Sequence, residues 1–200
     1  MRSESLQNFL DAAQSAFATR VQNPHATASL SRIFAALETH GTPSDALGSR
    51  LPPCVHLEQA ANPQNFPDPT LHRLIETFQT LESDLQWWPR KGDWTNAGPG
   101  FGDNHANAMI VGPGGAERRS DVWIGASLVA PNIRYPDHDH PPEETYLVLS
   151  PGQFMQGLDN WFEPGIGGTL YNPPGILHAM HSGDAPLFAF WALWAEPHPA

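Results

Sequence analysis

The sequence predicts an α+β fold, mainly β, in which an N-terminal helical region packs against a C-terminal antiparallel barrel of jelly-roll type. Three features point there. Apolar residues recur at helical spacing through the first 85 or so positions. After Trp88 the chain changes to short β-rich runs punctuated by Gly and Pro. The helical segments all come first and the strands follow, which assigns residues 1–90 to the helical region and 91–200 to the barrel, within one structural domain.

In order along the chain, Leu6, Phe9, Leu10, Ala13 and Phe17 define a first helical stripe, and Leu30, Ile33, Phe34 and Leu37 a second. A third helix opens at Asp68, a residue type that caps free N–H groups, with Pro69 in its first turn. Leu71, Leu74, Ile75, Phe78, Leu81 and Leu85 share one of its faces. The stretch between the second and third helices, residues 41–69, is dense in Pro and Gly and reads as an irregular connection. Strands are expected in NAMIVG, DVWIGASLVA, ETYLVLS, GQFMQG, GTLYN and LFAFWALWA. The Gly-rich GDWTNAGPGFGDNHANAMIVG lacks the lysine and spacing of a phosphate-binding loop and reads as a surface connection or lid.

The chain has 200 residues, enough for one ordinary domain, and a formal net charge of -11 with only 10 Lys and Arg. Such a field repels phosphates, so neither nucleic acid nor an anionic membrane is an expected partner. A lone cysteine, Cys54, rules out an intramolecular disulfide and reads as a structural thiol. With no apolar stretch of spanning length and no secretory signal pattern at its start, the chain is expected in the cytoplasm. A homodimer is compatible with the sequence, which does not fix the oligomeric state.

Chemistry concentrates in YPDHDHPPEETYLVLSPG, where His138, His140 and Glu144 form H-x-H-x(3)-E at a strand edge. In extended backbone two histidines two apart point to one face, and Glu144 reaches the same cavity after the Pro141–Pro142 turn. Downstream, GGTLYNPPGILHAMHS delivers His178 from a Pro-rich turn. One such histidine is more often a surface or hydrogen-bonded residue than a ligand; four donors in this spacing read as a site for one divalent ion, with Zn, Fe(II), Mn and Ni all suited to imidazole and carboxylate. Tyr146 lies two residues beyond Glu144 and should share its face, while Tyr135 precedes the histidines in the connecting segment. His105, His181 and His198 have no partner at ligand spacing and are expected in solvated roles.

These segments resemble the two cupin motifs, the first through His138, His140, Glu144 and a glycine, Gly152, one place late, and the second through Gly167, Pro173, Gly175 and His178. Ser182 stands where the family often carries Asn, and the late glycine implies a longer turn after Leu149. Over roughly the last hundred residues, RYPDHDHPPEETYLVLS, YNPPGILHAM and PLFAFWALW resemble the bacterial cupin-type dimethylsulfoniopropionate lyases, whose plan also includes a helical N-terminal region. The resemblance implies His140, Glu144 and His178 as metal ligands, with His138 added by the general cupin pattern. It gives Tyr146 and Tyr135 roles in substrate binding and proton removal, with Tyr146 the first choice of base. The implied reaction is metal-dependent β-elimination to dimethyl sulfide and acrylate, on a small sulfonium carboxylate. A sulfonium wants an electron-rich wall, for which Trp191 and Trp194, then Phe188, Phe190, Trp87 and Trp88, are candidates. Two other functions fit the same ligands: an iron-dependent cupin dioxygenase and a non-catalytic small-ligand-binding cupin.

Overall fold

The computed structural model describes residues 2–158 and 160–195, so His198 lies outside the described residues. Helices form where the apolar spacing predicts them: α1 (Glu4–Ala18), α2 (Pro24–Leu37) and, after a four-residue α3 (Leu57–Ala60), α4 (Pro69–Glu82). Each long helix starts at a side chain that accepts from otherwise unpaired first-turn N–H groups. Ser3 Oγ accepts from Leu6 N, Asn23 Oδ1 from His25 N and Ala26 N, and Asp68 Oδ1 from Thr70 N and Leu71 N. The connection expected to be irregular also folds into 3-10 turns at Pro52–His56 and Pro63–Asn65. Cys54 is buried there. No helix among the described residues is long and apolar enough to cross a membrane.

The β region makes two sheets from β1 (Thr42–Pro43), β2 (Trp87–Trp88), β3 (His105–Val111), β4 (Glu117–Arg118), β5 (Val122–Val129), β6 (Arg134–His138), β7 (Glu143–Val148), β8 (Gln153–Gln156), β9 (Trp161–Phe162), β10 (Thr169–Asn172), β11 (His178–His181) and β12 (Leu187–Trp194). Eight strands form one sheet in the order β1-β4-β3-β5-β12-β7-β10, with β2 paired to β3; the order β6-β11-β8-β9 makes the other. The six expected runs are all strands. The strands without a strong sequence signal are short, or, like β6, carry a proline: Pro136 sits on the edge strand of its sheet, where a missing N–H is tolerated.

Period-two alternation divides the large sheet into two chemically different faces. Ala106, Ala108, Ile110, Ile124, Ala126, Leu128, Leu147, Phe188 and Phe190 join the helices in one core cluster. The rings of Phe9, Phe78, Phe188 and Phe190 meet there with centroids 5.0–6.2 Å apart, mostly edge to face. On the opposite face Val129, Tyr146, Val148, Leu187 and Ala189 pack with Tyr135, Phe154 and Met180 of the small sheet. The helices therefore cover the outside of the barrel and leave its inward face to the site. Ser182 does structural work at the position where an Asn was expected from the family pattern: its hydroxyl accepts from Ile133 N and donates to Ala130 O, closing the turn into β6.

Candidate functional site

Both sheets contribute to one group of donors. Glu144 sits on the inward face of β7; His140 lies in the turn between β6 and β7; His178 opens β11. The last two segments are tied together by Gly175, whose N–H donates to His140 O at 2.9 Å, and whose φ of 71° is a left-handed value that glycine adopts without strain. The result is a cluster in which one ligand atom each from His140, Glu144 and His178 lie within 4.8 Å of one another. Both imidazole Nε2 atoms stand 3.3 Å from Glu144 Oε2.

Backbone carbonyls fix the tautomers. Nδ1 of His140 faces Pro142 O at 2.8 Å, that of His178 faces Ile176 O at 2.9 Å, and that of His138 faces Pro136 O at 2.9 Å. A carbonyl only accepts, so each Nδ1 carries a proton, and in the neutral ring Nε2 then presents its lone pair, the form that binds a metal. His178 Nε2 is buried without a hydrogen-bond partner, despite its closeness to the carboxylate. An orphaned, unprotonated nitrogen beside a second imidazole and a carboxylate is what a divalent cation satisfies, so the residues fit a metal. Glu144 is held from behind: Asn172 Nδ2 donates to its Oε2 at 3.0 Å, and Gln156 Nε2 donates to Asn172 Oδ1 at 2.7 Å. Because Gln156 occupies the Asn172 carbonyl, the amide nitrogen is the end that faces the carboxylate.

Charge and burial act on these groups in opposite senses. Burial alone would raise the Glu144 carboxyl, but the adjoining His140 and His178 rings, when they carry positive charge, outweigh it and hold the group well below the usual carboxylate range. His140 is lowered by burial and raised more by the Glu144 carboxylate, for a net increase. Burial, then the neighbouring His178, pushes His138 down to about 3, so that ring is neutral. Tyr135 is pushed up to about 12 by burial, opposed by a hydrogen bond from Asn107. Tyr146 is raised well above its ordinary value, by burial first and the Glu144 charge second.

Two of the donors, His140 and Glu144, open onto a cavity of about 760 Å³ that His138, Tyr135, Tyr146 and Trp191 also line. His138 lies beside the ligand group and outside it: its ring is 4.0 Å from that of His178 and 5.1 Å from that of Tyr135, forming wall between them. Tyr135, expected in a connecting segment, is instead inside strand β6. Trp194 does not reach the cavity. It is an odd number of residues from Trp191 on β12, so the pleat turns it outward, where Arg32 of α2 lies 5.5 Å over its ring. Phe188, Phe190 and Trp87 belong to the core beneath the helices, while Trp88 does line the cavity.

Sequence reasoning missed Arg90, Lys91, Asn107, Ser127 and Trp123, which also line the cavity. Asn107 and Ser127 were within reach of period-two counting, because they occupy the inward positions of β3 and β5. Arg90 and Lys91 carry no periodic signal. His105 was expected in solvent and is fully buried: Nε2 accepts from Arg90 N at 2.7 Å, Nδ1 donates to Phe101 O, and the ring stacks on Phe101 with centroids 3.6 Å apart. It anchors the Gly-rich connection beside Tyr135. Burial lowers its pKa, and protonation would destroy the Nε2 acceptor. The neutral-imidazole contribution to stability is fully present above the unfolded value of about 6.5 and is lost as pH falls toward the depressed folded-state value. Thermal unfolding midpoints should fall across that range, and His105→Asn should flatten the fall; an unchanged pH slope in the variant would remove His105 as a source.

Compared with known proteins, the chain matches the family profile described as dimethylsulfoniopropionate lyase over residues 25–189. It is similar to the dimethylsulfoniopropionate lyase DddQ of Ruegeria pomeroyi, with 26% identity over 164 residues, 80% of this chain and 78% of that protein. Among solved structures, a chain described under crystal structures of the DMSP lyases RdDddP and RnDddQII superposes with a TM-score of 0.74 at 20% identity, covering 96% of this chain and 93% of the other. The crystal structure of DMSP lyase DddQ from Ruegeria pomeroyi DSS-3 gives a TM-score of 0.69 at 24% identity, with 98% and 94% covered. At those identities the superpositions speak for the fold.

Proposed function

The chain belongs to the dimethylsulfoniopropionate lyase family, and from that premise we propose that its cavity converts dimethylsulfoniopropionate into dimethyl sulfide and acrylate by β-elimination. The observation that supports this most is the clustering of the His140, Glu144 and His178 donors at a cavity that His140 and Glu144 line together with two buried phenols, Tyr135 and Tyr146. The three donors are proposed to hold one divalent ion, Zn, Fe(II), Mn or Ni, with His138 as adjoining wall. Bound there, the ion supplies Lewis acidity toward the substrate carboxylate, which acidifies the neighbouring C–H.

The protein's own groups do the rest. Elimination needs a base for the α-proton; as that C–H bond breaks, its electrons form the C=C bond of acrylate and the C–S pair leaves with dimethyl sulfide. Of the two phenols, Tyr146 neighbours an anionic carboxylate, whereas Tyr135 Oη accepts a hydrogen bond from Asn107 Nδ2 at 3.0 Å. A donor aimed at the oxygen favours phenolate, so Tyr135 is proposed as the base, ahead of the sequence-based preference for Tyr146. Tyr146 is then a donor that holds the substrate carboxylate in place. Trp191 offers its ring face to the sulfonium, and the acidic net charge of -11 favours approach of a cationic end.

The test is headspace gas chromatography of metal-loaded protein with dimethylsulfoniopropionate, with dissolved oxygen followed in parallel. Dimethyl sulfide release without oxygen consumption, abolished by a chelator and restored by a divalent ion, is the expected result. No dimethyl sulfide from fully loaded protein would reject the assignment, and oxygen uptake would favour the dioxygenase alternative.

A further inference from the structure

We propose that Trp191, Ser127 and Asn107 form a one-way hydrogen-bond relay that sets the direction of the Tyr135 hydroxyl, making Asn107 a positioning residue for the elimination; this rests on the lyase function assigned above.

The relay begins with a group that cannot reverse. The Trp191 indole has a donor and no acceptor, and Nε1 donates to Ser127 Oγ at 3.0 Å. With its oxygen accepting from the indole, Ser127 turns its own proton toward Asn107 Oδ1, 2.7 Å away. That bond identifies the carbonyl end of the Asn107 amide and leaves Nδ2 facing Tyr135 Oη at 3.0 Å. An amide nitrogen only donates, so the Tyr135 oxygen accepts from Asn107 and its proton, when present, points away from Asn107 toward the cavity. Without an upstream donor, the amide and the hydroxyl are each free to rotate, and the phenol proton can be directed into the wall.

The backbone is arranged for this path. Ser127 and Asn107 are directly paired across β5 and β3, while Trp191 is paired with Gly125, two residues from Ser127 on the same face. Glycine at 125 is what lets the indole lie across β5: a Cβ there would stand 2.3 Å from the Trp191 ring. The relay thus runs diagonally through three neighbouring strands of the large sheet and ends on β6 of the small one. Its first member is also the ring proposed to face the sulfonium, so a single side chain borders the cationic end of the substrate and orients the group that takes its proton.

Asn107→Asp tests the relay because it keeps the side-chain shape and replaces the donor with an acceptor. The expected result is a roughly 10- to 100-fold fall in kcat for dimethylsulfoniopropionate, the size of losing one hydrogen bond to a charged oxygen, with KM and metal content close to wild type. Ser127→Ala should lose less, and Ser127→Thr should restore kcat by returning the hydroxyl. If thermal unfolding shows that Asn107→Asp does not fold, the two Ser127 variants decide. Wild-type kcat in Asn107→Asp, a loss confined to KM, or equal loss in Ser127→Ala and Ser127→Thr would overturn the relay. Tyr135→Phe is run beside them: if it stays active, the base assignment and the relay both fall. If it is inactive while Asn107→Asp is normal, only the relay falls.

Discussion

His178→Ala is expected to lose both the ion and turnover. His178 is 3% exposed, its Nε2 has no other partner, and its Nδ1 is already fixed on Ile176 O, so its lone pair is held toward the donor cluster and serves no other contact. Removing a direct donor should cost more than the roughly 10- to 100-fold in metal affinity typical of removing an outer hydrogen-bond partner. Asn172→Ala, which only releases Glu144 from behind, provides that comparison within the same protein. Elemental analysis after dialysis against a weak chelator, paired with headspace assay, reads both quantities. Full metal content in His178→Ala would take this histidine out of the ligand set.

Tyr135→Phe should separate the two functions, retaining the ion and losing turnover. The substitution removes one oxygen from a ring that stays packed against Phe101 and His105, with centroids 5.0 and 5.7 Å away, so the fold has little reason to change. A positioned proton acceptor contributes about 10²- to 10⁴-fold, which sets the expected drop in kcat. Tyr146→Phe should lose activity too, with the cost divided between KM and kcat if its hydroxyl holds the carboxylate rather than receiving the proton. Activity retained by Tyr135→Phe and lost from kcat alone in Tyr146→Phe would return the base role to Tyr146.

Much of this arrangement was legible in the sequence wherever a local rule operated. Leu71 through Leu81 and the Asp68 cap mark α4 because helical period and capping are properties of adjacent residues, whereas Leu85, expected on the same face, lies past the end of the helix at Glu82. His140, Glu144 and His178 were visible because turn chemistry and strand alternation dictate where each emerges. What escaped depends on contacts between distant segments. Trp194 looked equivalent to Trp191 in composition, and only the pleat, counted from a known inward residue, separates them. His105 looked unpartnered because its acceptor and donor partners are backbone groups of Arg90 and Phe101, which no side-chain pattern records. Asn107 looked like an ordinary polar residue in a strand until β6 from the other sheet brought a phenol against it.

The shared origin of the donors has a mechanical side. Glu144 and its brace Asn172 belong to the large sheet, and His178 and Gln156 to the small one, so the ion would act as a rivet through both walls of the barrel. Prising the walls apart and emptying the centre then become the same event, which links catalytic competence to resistance against heat without any contact from the helices outside.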